Sequence, residues 1–196
     1  GGDTAPGLVV DGALAAARHL DLGVALVGPV SRISAQVERH AGVDPSRIRL
    51  VEAGSVIEMA EAPSAALRRK PDASIRVAAA LVATGEADAL FSAGHTGASV
   101  MAAHGAFGML PGVDRPALAA TIPTRRGPAV LLDVGASVEC RPAHLLQFAV
   151  MGSVYARVAF GIEQPRVGLL SIGEEETKGN DLTRDAHQLL KGAPLS

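Results

Sequence analysis

A single lysine, Lys178, lies in a polar turn near the end of the chain, within Ser171-Ile-Gly-Glu-Glu-Glu-Thr-Lys-Gly-Asn180. We predict a strand at residues 166–172 before this turn and a helix at residues 181–191 after it. Backbone N–H groups are unpaired at such a helix start and favour an anion. A lysine there can bind a phosphate or an oxyanion through three donors. The alternative is an acidic first turn that complements the helix dipole, with Lys178 solvated.

The densest basic stretch reads Arg68-Arg-Lys-Pro-Asp-Ala-Ser-Ile-Arg76. Arg76 lies just inside the next predicted helix, from which an arginine can reach the carboxyl-end edge of a sheet. Its planar guanidinium suits bidentate recognition of phosphate. A solvated cluster is the alternative, and we adopt it for Arg68 and Arg69.

Three further turns combine glycine with small polar residues, at 1–4 (GGDT), 92–97 (SAGHTG) and 133–137 (DVGAS). In a parallel sheet such turns gather at the carboxyl ends of the strands, where ligands bind. Each turn alone suits an ordinary capped helix start, but four along one edge favour a small anionic ligand. In the 92–97 turn, Gly94 and Gly97 permit close approach of backbone N–H groups, while Ser92 and Thr96 offer hydroxyls. None of the four turns has the order of a Walker A or dinucleotide-binding motif.

The remaining reactive side chains indicate neither a metal site nor an activated nucleophile. Of the six histidines, only His95, inside the 92–97 turn, is a plausible ligand contact, because no two histidines have zinc-binding spacing. The single cysteine, Cys140, reads as a small buried hydrophobe and suits a cytoplasmic protein. The nucleophile elbow of serine hydrolases is absent from the sequence.

Composition indicates a packed domain and excludes several classes. At 196 residues, with 48% hydrophobic and 19% charged residues, the chain fits one α/β domain over 1–196. A net charge of −2 and 3% aromatic residues leave no basic field and few stacking groups, so nucleic-acid binding is not expected. No apolar run approaches the roughly 20 residues of a membrane-spanning helix.

Apolar runs of strand length alternate with amphipathic segments of helix length. We predict strands at 22–27, 47–51, 88–92, 117–122, 129–133 and 166–172, with Arg125 and Arg126 in a solvated turn between two of them. We predict helices at 6–19, 30–40, 74–84, 96–109, 143–160 and 181–191. Strands this apolar are typical of a mostly parallel sheet with helices on both faces. Since no strand precedes the first turn and none follows the last helix, we expect an interior piece of a longer protein.

These junctions, in this order, resemble the PlsX-type phosphate acyltransferases of bacterial phospholipid synthesis. The resemblance covers essentially the whole chain and runs through GGDTAPG, VIEMAEAPSAALRRKPDASIRVA, LFSAGHTGA, LPGVDRPALAATIPT, LLDVGASVEC, QFAVMGSVYA and PRVGLLSIGEEETKGN. It implies transfer of a fatty acyl group from acyl carrier protein to inorganic phosphate, giving acyl phosphate. It also implies a fold similar to phosphotransacetylase and the isocitrate dehydrogenase-like proteins.

The resemblance further implies a homodimer without metal or cofactor, in the cytoplasm and peripherally associated with the membrane. Family members have a strand before the GGD turn, and further strands and helices beyond position 196 that form the dimer and reach the membrane. His95 and Ser137 stand where the family usually has asparagine.

We predict that the site positions two anionic partners and stabilises a tetrahedral oxyanion. Lys178 and Arg76 are the predicted catalytic charges, and Glu174, Glu175 and Glu176 serve to hold Lys178. The predicted substrate-binding residues are Ser92, Gly94, His95, Thr96, Gly97, Asp133, Gly135 and Asn180, with Asp133 orienting one of the cations. Two alternatives stay open: a phosphotransacetylase-like enzyme using acyl-coenzyme A, and a non-catalytic anion- or partner-binding fragment.

Overall fold

Helices and strands alternate along the chain, which confirms the predicted α/β class. The structure, a computed structural model, describes residues 2–40, 42–137, 139–173 and 178–195. Their helices and strands are α1 (Gly7–His19), β1 (Val24–Gly28), α2 (Val30–Val37), β2 (Ile48–Glu52), α3 (Pro63–Arg69), α4 (Ser74–Ala83), α5 (Thr96–Phe107), β3 (Ala119–Thr124), β4 (Gly127–Leu132), α6 (Pro142–Phe160) and α7 (Asp181–Lys191), with a short 3₁₀ turn at Pro45–Arg47. The chain divides into two compact units, Gly1–Gly108 and Met109–Ser196.

The first unit contains a parallel pair of strands covered by two helices. β1 and β2 pair in register from Val24 opposite Ile48 to Gly28 opposite Glu52. Val10 and Leu14, one turn apart on α1, are buried against Leu26. Each such side chain contributes about 1.5–3 kcal/mol when it leaves water. This core fixes the end of β2, from which the chain enters the loop that leads to α3.

A second core in the same unit joins α3, α4 and α5, and alanines dominate it. Its buried residues are Ile57, Ala66, Leu67, Ala73, Ala79, Ala98 and Ala102. Small side chains let the helix backbones approach closely, so a shift of one helix is felt by its neighbours. This packing sets the position of the α5 start, where the predicted 92–97 turn ends.

The second unit is built on a hairpin and two helices. β3 and β4 pair antiparallel across Arg125 and Arg126, which confirms the predicted turn between two strands. α6 packs against β4, and α7 packs against α6. Proline at its first position opens α6, and Gly161 closes it in the left-handed conformation with φ +66°, as expected just past a helix end.

Two predicted strands are wrong, at 88–92 and 166–172, because neither segment is in a β-ladder. A strand needs a neighbour whose N–H and C=O groups meet its own, and the described residues supply none at either place. Some of their large side chains are exposed, to 88% at Phe91 and 85% at Ile172, while Leu90 and Leu169 are half-buried. Among the described strands, the predicted parallel arrangement is seen only for β1 and β2. The helix α3 was not predicted.

Candidate functional site

The predicted 92–97 turn opens α5 with a set of free amide donors. Ser92 Oγ accepts from the N–H of Gly94 at 3.2 Å and lies 3.2 Å from Ser99 Oγ. His95 is the residue before the helix, and its side chain does not cap it. The first-turn amides of Thr96, Gly97 and Ala98 find no acceptor among the described residues. Three unpaired N–H groups at a helix start are donors of the kind that favour an anion.

Two other segments of the first unit touch this turn. A Cβ added to Gly2 would lie 3.0 Å from the carbonyl oxygen of Ala93, so the 1–4 turn and the 92–97 turn are neighbours. A Cβ added to Gly97 would lie 3.0 Å from Cγ of Pro63, the first residue of α3. The structure therefore brings together two of the four predicted turns, and it adds the start of α3 to them.

Arg76 caps a helix in this unit. Its Nη1 donates to the carbonyl oxygen of Leu67 at 2.9 Å, in the last turn of α3. A guanidinium at a helix C-terminus satisfies free carbonyls and complements the dipole. This contact uses one of the five N–H donors of the guanidinium and leaves four that a phosphate can meet. The role of Arg76 in phosphate binding stays a prediction.

An ion pair that the sequence analysis did not single out lies beside these segments. Lys70 Nζ donates to Glu61 Oε2 at 2.5 Å and to the carbonyl oxygen of Val56 at 2.7 Å. This ammonium and, secondly, the backbone N–H of Glu58 hold the pKa of Glu61 below its usual range. The signal in the sequence was an acid, Glu61, seven residues before the basic stretch and nine before Lys70, which is too distant for a local helical pair.

In the second unit, Asp133 organises the predicted 133–137 turn. Its Oδ1 accepts from the N–H groups of Leu118 at 2.8 Å and Ala136 at 3.1 Å, and its Oδ2 accepts from Ser137 N–H at 2.8 Å. Gly135, at φ +109°, lies inside this turn. Both carboxylate oxygens are thus engaged with the backbone. No cation contacts Asp133 among the residues that the structure describes.

The turn that carries Lys178 leads directly into α7. Lys178 is exposed, and Asn180 caps the helix by accepting from Thr183 N–H at 3.0 Å through Oδ1. Gly179 has φ +94°, and a Cβ added there would lie 2.1 Å from Thr183 Oγ1. Arg184, which the sequence analysis missed, donates to the carbonyl oxygen of Gly179 at 3.0 Å and pairs with Asp181. The i, i+3 spacing of Asp181 and Arg184 was the available signal.

A groove of about 1090 Å³ runs through the second unit and borders the 133–137 turn, from which Asp133, Val134 and Ser137 line it. Its walls include all of residues 128–134 and 164–170, together with side chains of α6 and α7. Strand side chains alternate between faces, so a wall that includes residues 128–132 of β4 in succession also includes the backbone edge of this strand. Most of the lining side chains are apolar, and the backbone edge adds N–H and C=O groups that a ligand can meet.

The predicted site residues therefore fall into two sets. The first unit holds Arg76 and the 92–97 turn with Ser92, Gly94, His95, Thr96 and Gly97; the second holds Asp133, Gly135, Lys178 and Asn180. The predicted holding residues Glu174, Glu175 and Glu176 lie outside the described residues. Cys140 is half-buried. Within the described part of the chain, no cluster of three or more His, Cys, Asp or Glu side chains could hold a metal ion, and no helix has the length and apolarity to cross a bilayer.

Comparison with known proteins gives a consistent result along the whole chain. The model of a family described as "Fatty acid synthesis protein" matches residues 1–195. A protein named phosphate acyltransferase from Desulfitobacterium hafniense (strain DSM 10664 / DCB-2) is 50% identical over 196 residues, covering 100% of this chain and 58% of the relative. One of the same name from Thermosynechococcus vestitus is 52% identical over 193 residues (97% of this chain, 56% of the relative). Another from Geobacter sulfurreducens is 49% identical over 191 residues (97% and 55%). The chain thus spans a little over half the length of these relatives.

Proposed function

This chain belongs to the fatty acid synthesis protein family, and we propose that it takes part in transferring a fatty acyl group from acyl carrier protein to inorganic phosphate. The product is an acyl phosphate for phospholipid synthesis. One observation carries the proposal: relatives named phosphate acyltransferase are about half identical to this chain along its full length. Identity of that level, spread over both units, favours a shared reaction.

In the proposed reaction a phosphate oxygen attacks the thioester carbonyl carbon. A C–O bond forms, the C–S bond breaks, and the pantetheine thiolate leaves and takes up a proton from water. Phosphate needs no strong general base, because its second pKa is near ~7 by analogy with the ~6 of phosphoesters. A thiol of ordinary pKa around 8.5 is also a good leaving group. The protein has to position two anionic partners and stabilise the tetrahedral oxyanion.

The free amides of Thr96, Gly97 and Ala98 are the donors that we assign to an oxyanion in the first unit. The observation that supports this assignment is that these amides have no acceptor among the described residues and that no side chain caps the start of α5. Lys178, exposed before α7, is the compact positive charge that we assign in the second unit. Arg76 is the further cation that we assign. Its guanidinium has N–H donors for phosphate besides the one that meets the carbonyl oxygen of Leu67.

The proposal also includes the detailed fold and the assembly of the protein. We expect a mostly parallel sheet with helices on both faces, similar to phosphotransacetylase and the isocitrate dehydrogenase-like proteins. We also expect a homodimer in the cytoplasm, peripherally associated with the membrane, with no metal or cofactor. The parallel pairing of β1 and β2 is the part of the described structure that supports this sheet.

Two assays on the complete gene product test the proposed function. Release of free thiol and trapping of acyl phosphate by hydroxylamine are followed with acyl carrier protein thioesters and with coenzyme A thioesters, each with and without phosphate. We expect phosphate-dependent product with the carrier protein thioester. Product only with coenzyme A would favour the phosphotransacetylase-like alternative, and no product with either would favour a non-catalytic anion-binding role.

A further inference from the structure

Glu61 and Lys70 form a half-buried ion pair whose contacts lead to the 92–97 turn. We propose that they are positioning residues for this turn and act on it through Pro63. The inference rests on the proposed function for its ligand, phosphate. It assigns to the two charges a role that does not require either of them to touch that ligand.

The first step is that Lys70 closes the loop after β2. Its Nζ is 2.7 Å from the carbonyl oxygen of Val56 and 2.5 Å from Glu61 Oε2. The same Oε2 accepts from the backbone N–H of Glu58 at 2.9 Å. The side chains of Lys70 and Glu61 are only 28% and 22% exposed. An ammonium with two acceptors in such a site fixes both ends of the loop that it spans.

The second step is that the α3–α4 connection holds the same loop at another point. Asp72 Oδ1 accepts from Ser55 Oγ at 2.8 Å, and the backbone N–H of Ser74 donates to the carbonyl oxygen of Ser55 at 2.9 Å. A Cβ added to Gly54 would lie 2.5 Å from Asp72 Oδ2. The loop thus has little freedom at its beginning, so the Glu61–Lys70 pair decides where its end lies.

The third step runs from Glu61 to the turn. Pro63 follows Glu61 by two residues and begins α3, and it is the nearest neighbour of Gly97, whose added Cβ would meet its Cγ at 3.0 Å. The Cε1 of His95 lies at 3.3 Å from the same point. Ala66 and Ala98 lie in one buried cluster behind this contact. In a core packed without voids, moving the start of α3 moves the amides of the turn.

The competing explanation is that Lys70 binds phosphate directly, because a second cation also lies beside Glu61. Arg69 approaches Glu61 Oε1 at 3.9 Å from a 70% exposed position. If Lys70 bound phosphate itself, removing the charge of Glu61 would free the ammonium and leave affinity unchanged or improved. If the pair positions the turn, removing either charge has the same effect, and removing both adds little. The two explanations therefore differ in the response to Glu61→Gln.

The test compares Glu61→Gln, Lys70→Met, the double variant and Lys70→Arg in the complete gene product. Arg68→Met is the matched control, since Arg68 is exposed on α3 and makes no hydrogen bond or ion pair among the described residues. Amide hydrogen exchange is measured over residues 99–104, because the hydrogen-bonded amides of α5 begin with Ser99, whose N–H donates to the carbonyl oxygen of His95 at 3.0 Å. The KM for phosphate is compared with kcat in the same variants. A misplaced binding turn should raise KM about 10- to 100-fold, with kcat changed much less, whereas partial unfolding would lower kcat and leave KM unchanged.

We expect both single variants to speed exchange over residues 99–104 and to raise the KM for phosphate alike, with the double variant no worse. Lys70→Arg should retain most of the positioning and keeps the comparison with Glu61→Gln decisive if Lys70→Met fails to fold. Parent-like exchange in Glu61→Gln would overturn the inference, and so would a KM defect confined to Lys70→Met. Exchange tests the coupling without phosphate, so an inactive parent protein would refute the proposed function alone.

Discussion

Replacing Asp133 by asparagine tests whether this carboxylate serves the backbone or the ligand. Oδ1 can remain as a carbonyl facing Leu118 and Ala136, but Oδ2 becomes an NH₂ group facing the N–H donor of Ser137, formerly at 2.8 Å. One hydrogen bond to a charged acceptor is lost, about 1.5–3 kcal/mol, and the other two weaken towards the neutral value of about 0.5–1.5 kcal/mol. Since Asp133 is half-buried and water can replace part of this, we expect the unfolding free energy to fall by about 2–4 kcal/mol.

Urea unfolding followed by far-ultraviolet circular dichroism measures this loss, and amide exchange at Ser137 locates it. Asp114→Asn is the matched control, because among the described residues the carboxylate of Asp114 accepts a single hydrogen bond, at Oδ2 from Gln147 Nε2 at 3.0 Å, in an exposed position. It should stay within about 0.5 kcal/mol of the parent. Parent-like stability of Asp133→Asn, together with a loss of activity, would refute the structural account. Such a result would favour the role in orienting a cation that the sequence predicts.

Four further outcomes are expected. Lys178→Ala should lower kcat by about 10²–10³-fold, as for loss of one oxyanion donor, and change stability by less than about 0.5 kcal/mol; comparable activity in variant and parent would remove Lys178 from the mechanism. His95→Asn should keep most of the activity, because both side chains offer an N–H donor, and its loss in the steady-state assay would show that the imidazole is required. Asn180→Ala should cost about 0.5–2 kcal/mol through loss of the α7 cap, measured by urea unfolding, whereas an unchanged midpoint would mean that water replaces the cap. Lys70 lowers the pKa of Glu61, so the stability gained from this ionised carboxylate is present above pH 4.5 and is lost as pH falls through the lowered pKa. The difference in urea midpoint between the parent and Glu61→Gln should therefore shrink as the pH falls through that range. A constant difference would contradict the stabilising role of the ionised Glu61.

Helices were predicted well because their signals are local. α7 has the predicted bounds, 181–191, and α4 and α6 differ from prediction by one residue at one end. Asn180 and Gly161 mark ends that a sequence displays directly through capping chemistry. α3 was missed because seven residues between two prolines give too short a period to detect, although Pro63 at its first position was a signal.

Strands were predicted less well because apolarity does not specify a partner. Segments 88–92 and 166–172 have strand composition, but composition carries no information about which backbone will lie beside them. The antiparallel pairing of β3 and β4 was available from the sequence, since the six residues between the predicted strands 117–122 and 129–133 are too few for a parallel crossover. The expected parallel sheet overrode this local rule.

The sequence indicates which residue types form the candidate site, whereas the structure shows which other residues they contact. The 92–97 and 133–137 turns were found as glycine-rich helix entries, but one of the three backbone N–H groups that donate to Asp133 belongs to Leu118, fifteen residues away. The contact of Pro63 with Gly97 likewise joins α3 to α5, and the Glu61–Lys70 pair joins the loop before α3 to the residue after it. Long-range contacts of this kind are set by packing, which a single sequence does not display.

The space around Gly179 constrains how this protein can diverge. A Cβ at position 179 would lie 2.1 Å from Thr183 Oγ1 and 2.8 Å from Ser171 Oγ, so a side chain there requires both hydroxyls to move. A lineage that loses this glycine must also tolerate a left-handed backbone at φ +94°. Position 179 should therefore covary with positions 171 and 183 among homologues, with residues that lack the hydroxyl favoured at 183 wherever 179 is not glycine.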